Sequence, residues 1–64
     1  MEDDDRQAIE YFKTASDNGD SDAHFALYEA YRDGVGVRRN KKSQAKYLKL
    51  AKDAKHPQAL ELAE

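Results

Sequence analysis

The 64-residue chain has no cysteine, which excludes disulfide staples and thiolate zinc sites. Its only histidines, His24 and His56, are 32 positions apart, with no metal-ligand spacing around either. Long apolar runs are missing too. The longest, Phe25 to Tyr28, is far too short to cross a bilayer. The start, Met1-Glu2-Asp3-Asp4-Asp5-Arg6, is acidic, opposite to a secretory leader. No nucleophile–base constellation is visible. Gly34-x-Gly36 lacks a third glycine and follows a helical pattern, so it is no dinucleotide fingerprint. These absences lead us to expect a cytoplasmic protein that is not an enzyme, has no membrane segment, and carries neither metal nor cofactor.

A chain this short forms one small domain, and it buries only about 60% of its unfolded surface. Without disulfides or a metal, association is the expected staple. Charge is unevenly divided. Residues 1–34 hold ten acids against Arg6, Lys13 and Arg32, a net −7; residues 35–64 hold eight bases against Asp53, Glu61 and Glu64, a net +5. So dipolar a chain can associate head to tail or present a charged face to a partner.

Four helices are predicted. The first spans about 4–18, with Ala8, Tyr11, Phe12 and Ala15 on one face and Gly19 as its stop. Its leading acids, Glu2 to Asp5, suit the positive end of the helix dipole, or serve as a lure for a basic partner. The second spans about 22–33 after Ser21 as N-cap. Ala23, Leu27, Ala30 and Tyr31 form one stripe on it and Phe25 and Tyr28 another, as a helix packed on both sides requires. The third spans about 41–54 behind the cap Asn40, with Tyr47, Leu48 and Ala51 as its stripe. The fourth starts at Pro57 with His56 as cap and carries Ala59, Leu60, Leu62 and Ala63 to the last residue. Between the second and third, Gly34 can end a helix and Gly36 can turn the chain, with Val35 or Val37 tucked beneath.

The pattern repeats. A shift of 36 residues lays Tyr11 on Tyr47, Phe12 on Leu48, Lys13 on Lys49, Ala15 on Ala51, Asp17 on Asp53 and Ala23 on Ala59. Five of the 21 positions from Ala8 to Tyr28 are then identical and the apolar face keeps its phase, the mark of a helical solenoid. Ala8, Tyr11, Phe12, Ala15, Gly19, Ala23, Leu27, Tyr31, Gly34, Gly36 and Val37 together resemble the Sel-like repeat, a relative of the tetratricopeptide repeat. The match covers residues 8–37 well and 40–64 loosely. It departs at Ser16 and Lys52, where the family has alanine, and at Tyr28 and Lys55, where it has glycine. At Tyr28 a local rearrangement or an added contact is therefore expected.

The resemblance implies an all-α fold: a short α-solenoid of two antiparallel helix hairpins, about one and a half repeats in one domain over 1–64. The first repeat covers about 8–39 and a partial second about 40–64. It also implies a protein-interaction module with an adaptor or assembly role. The aromatic groups fit either a core or an interface. Phe25, Tyr28, Tyr47, Leu60 and Leu62 are the candidate protein-binding residues, and Gly34, Gly36 and Val37 form the structural loop. The expected partner is another protein, a second copy of the chain above all, giving a homodimer. The basic series Arg38, Arg39, Lys41, Lys42, Lys46, Lys49 and Lys52 reads as a solvated helix face. No sequence-reading motif accompanies it, so no nucleic-acid partner is expected. The charge division supports a second function, a small inhibitor or immunity-type protein that blocks an enzyme or a nucleic-acid-binding complex through its charged faces.

Overall fold

The computed structural model describes residues 2–62, with side chains from Asp5 onward. Among these residues there are four helices and no strand: α1 (Glu2–Asp17), α2 (Ser21–Asp33), α3 (Lys41–Asp53) and α4 (Pro57–Glu61). The all-α expectation holds. α2 packs on α1 and more extensively on α3, while α4 folds back on α3. Ala63 and Glu64, expected to continue α4, lie outside the described residues.

α2 is apolar on two faces because it is the middle layer. On one face Leu27 and Ala30 meet Ile9 of α1, and Phe12, Tyr31, Val37 and Tyr47 close around them. Leu27 is fully buried, which contributes roughly 1.5–3 kcal/mol. On the other face Phe25 and Tyr28 meet Ala51 and Ala59, with Tyr47, Leu48 and Leu62 packed against the group. The two alanines are completely buried and leave room for the rings. Tyr28 is thus a buried contact between α2 and the α3–α4 pair.

The inward face of α1 differs from the expected stripe. Ile9 and Ser16 are buried and Phe12 half-buried, whereas Ala8 is exposed and Tyr11 is 67% exposed. Ile9, Phe12 and Ser16 keep the spacing of three and four, one residue round from Ala8. Ile9 decides the phase, because burying its side chain is worth more than burying an alanine methyl.

The α1–α2 and α3–α4 turns correspond at 36 residues in backbone geometry, although their residues differ. Gly19 has φ 93° and Lys55, its counterpart, φ 61°. The Asp20 N–H donates to the Ala15 carbonyl at 3.0 Å, and the His56 N–H to the Ala51 carbonyl at 2.9 Å. Each of these two residues then caps the next helix, Asp20 Oδ1 accepting from the Asp22 N–H at 2.9 Å and His56 Nδ1 from the Gln58 N–H at 3.2 Å. Asp20, not Ser21, is therefore the cap of α2. Its carboxylate also accepts from the Ala23 N–H, and a charged acceptor makes the stronger bond. Asn40 and His56 cap α3 and α4 as expected.

The loop after α2 is packed rather than free. Gly34 ends the helix at φ 76°, its N–H donating to the Ala30 carbonyl at 2.7 Å. Gly36, at φ 78°, lies on α1 so closely that a Cβ there would stand 2.8 Å from the Asp5 carbonyl oxygen and from Ile9 Cγ1. Val37 is the valine that tucks under; Val35 stays half exposed.

Candidate docking face

The candidate binding residues are brought together, but inside the chain. Phe25 and Tyr28 are buried, and Tyr47 and Leu62 are half-buried against them. Phe25 and Tyr28 are therefore not an open surface: the pairing of α2 with α3 and α4 already covers them. The Arg32 guanidinium also lies over the Tyr28 ring, 5.4 Å from its centroid. Tyr31 stacks on Tyr47, with centroids 5.8 Å apart and planes 4° apart, and Lys46 lies over the same Tyr47 ring at 5.1 Å. Leu60 alone of the five points outward, 55% exposed.

Both histidines are buried and partnered. His24 Nδ1 is hydrogen-bonded to Ser16 Oγ, joining α2 to α1. His56 stacks flat on Phe25 and bonds Asp22 Oδ1 through Nε2 at 2.9 Å, joining the start of α4 to α2. Since Nδ1 accepts from Gln58, the neutral ring carries its proton on Nε2 and donates it to Asp22. Among the described residues no three His, Asp or Glu side chains gather as a metal site, and no helix is long and apolar enough to cross a membrane.

A further uncovered apolar surface lies between α1 and α2. A shallow groove of about 260 Å³ runs between them, its floor formed by Ala8, Ile9, Ala26 and Ala30 with Val35 at one end. Asp5, Glu29 and Asp33 stand at its rim. Tyr11 rises beside it on α1 and touches only its neighbour Phe12 among the aromatic rings, edge to face at 5.6 Å. Tyr11, Ala8, Ala26 and Val35 are absent from the candidates expected from the sequence. The 36-residue register points to two of them. Tyr11 corresponds to Tyr47 and Ala26 to Leu62, and both counterparts face α2.

The rim is negative. Asp33 is held below the usual carboxylate range by the Arg32 side chain, whose Nε and Nη2 each donate to it at 3.0 Å. Arg32 is in turn raised above its ordinary value, chiefly by Asp33. Asp5 and Glu29 have no such cationic partner among the ion pairs of the described residues. Compared with known proteins, the chain matches no family model, no curated protein and no solved structure.

Proposed function

We propose that the chain is a non-catalytic protein-interaction module whose docking face is the α1–α2 groove. The observation that carries this is the exposure of Tyr11, Ala8 and Val35, beside a half-buried Ala26, on a helix pair whose counterpart, α3–α4, is covered by α2. The 36-residue repetition of turns and caps supports the likeness to Sel-like repeats, and with it an adaptor or assembly role. The lack of cysteine suits a cytoplasmic setting.

Two occupants compete. A second copy gives the homodimer, and Leu60 and Leu62 are what it offers from α4. There, however, Glu61 stands in the register of Phe25. A different chain with a basic helix suits the acidic rim better. The same rim favours, as a second reading, an inhibitor that masks a basic surface. Its binding would weaken with salt, since exposed charges are screened beyond about 10 Å at 0.1 M.

Selection of helical peptides from a display library against the folded chain tests the module. The expected result is enrichment of peptides whose binding is lost in Ala8→Glu and Ala26→Glu. A selection that enriches nothing over those variants removes this function.

A further inference from the structure

We infer that the α1–α2 face accepts one amphipathic helix of a different protein, bearing aromatic or large apolar side chains three residues apart and basic residues beside them. The inference deepens the module reading and rests on it. The chain holds its own template. α2 lays Tyr28 against Leu48 and Ala51, and Tyr31, three residues on, stacks on Tyr47. Thirty-six residues earlier, the positions of Tyr47, Leu48 and Ala51 are Tyr11, Phe12 and Ala15 on α1.

The hollows correspond as well. Beside Tyr28 lies a hollow lined by Lys41, Gln44 and Ala45. Their counterparts Asp5, Ala8 and Ile9 line the α1–α2 groove, where no ring is present. A helix covering α1–α2 as α2 covers α3–α4 sets one ring in the groove beside Ala8. The next, three residues on, stacks on Tyr11, which is 67% exposed where Tyr47 is half-buried. Side chains at this spacing share one face of a helix.

Charge fixes the flanks. In the hollow that Tyr28 borders, the charged side chain is Lys41; at the groove its place is taken by Asp5, with Glu29 added, while Asp33 is already paired with Arg32. The incoming helix therefore needs lysine or arginine beside its rings. Among the described residues no helix of this chain offers that combination. α3 is basic at Lys42, Lys46 and Lys49, but its apolar residues Tyr47, Leu48 and Ala51 are turned to α2. α2 has the rings, but they are buried.

Three synthetic helical peptides titrated into the ¹⁵N-labelled full chain test this: one with the aromatic pair and flanking lysines, one with glutamates for the lysines, and one with alanines for the aromatics. The first should shift the amide resonances of Ala8, Tyr11, Ala26 and Val35 and bind at least about tenfold tighter than either control. Ala8→Glu, at an exposed helix position, and Ala26→Glu should each remove that advantage while circular dichroism stays helical. Equal affinity for the three peptides, shifts confined to α3 and α4, or no shifts would overturn the inference. Library peptides that need Ala8 and Ala26 but lack the aromatic spacing or the basic flank would overturn it while leaving the interaction module standing. An empty selection removes both.

Discussion

His56 lies flat on Phe25, with ring centroids 4.8 Å apart and planes 6° apart. The same imidazole caps α4 through Nδ1 and reaches Asp22 through Nε2. One side chain thus holds a helix of five residues, too short to persist alone, against the middle helix of the stack. His56→Ala should cost about 2–3 kcal/mol, the sum of a lost cap and a lost ring contact. His56→Asn keeps the capping acceptor and should cost about 1 kcal/mol. Urea unfolding of the two variants measures this. Equal losses would show that the cap contributes nothing, and an unchanged His56→Asn variant would show the same of the stack on Phe25.

Ser16 is buried on α1 with His24 of α2 as its partner. The pair is buried, and the hydroxyl is the hydrogen-bond partner of the ring's Nδ1. Ser16→Ala strands a buried polar atom and should cost about 1–3 kcal/mol. In the second repeat the counterpart of His24 is Leu60, an apolar residue. The double variant Ser16→Ala/His24→Leu should therefore recover most of the loss. A double variant less stable than Ser16→Ala alone would contradict that account.

The loop glycines separate two causes of strain. At Gly19 an added Cβ meets nothing within 4 Å, so Gly19→Ala bears only the left-handed backbone cost, about 1–2 kcal/mol. At Gly36 the same backbone cost is joined by a collision with the Asp5 carbonyl, which belongs to a helix and cannot swing aside. Gly36→Ala should cost about 2–4 kcal/mol. If the two alanine variants unfold at the same urea concentration, the loop does not sit on α1 as described.

The sequence makes legible what depends on neighbours along the chain. The two stripes of α2 follow from helical spacing, and Asn40, His56 and Pro57 mark helix starts by local chemistry. Where two adjacent residues compete, the sequence alone does not choose. Ala8 and Ile9 both begin a valid stripe, and the larger side chain takes the core. Asp20 and Ser21 can both cap, and the carboxylate does. Phe25 and Tyr28 are harder still. Their burial depends on Ala51 and Ala59, more than twenty residues away, being small enough to receive them. The groove is legible only through the 36-residue comparison, because Tyr11 looks like a core residue until its counterpart Tyr47 is seen to be covered by α2, a cover that Tyr11 lacks among the described residues.

That comparison also explains Lys55. It occupies the place of Gly19 and keeps the left-handed turn at φ 61°, a conformation unfavourable for a residue with a side chain. Lys55 is exposed, so its removal empties no core. Lys55→Gly should raise stability by about 0.5–1 kcal/mol. Urea unfolding of the variant checks this, and a fall in midpoint would mean that the turn into α4 is not held in the left-handed region.

Asp33 offers a test by pH. Arg32 holds its carboxylate below the usual range, so the folded chain binds this proton less readily than the unfolded one. A depressed folded value adds stability above the unfolded carboxylate pKa, about 3.9. That stability is lost as pH falls through the folded value. Asp33→Asn removes the charge while keeping the shape and leaves Arg32 over Tyr28. The variant should therefore be slightly less stable than the parent at neutral pH, by the small amount an exposed pair allows. The gap should close below the carboxylate range, where Asp33 is protonated and resembles asparagine. Urea midpoints for both chains from pH 7 down to acid give the difference directly, since the other carboxylates cancel. A gap that widened on acidification would mean that Asp33 is not held by Arg32, and the groove would then carry one more unpaired negative charge at its rim.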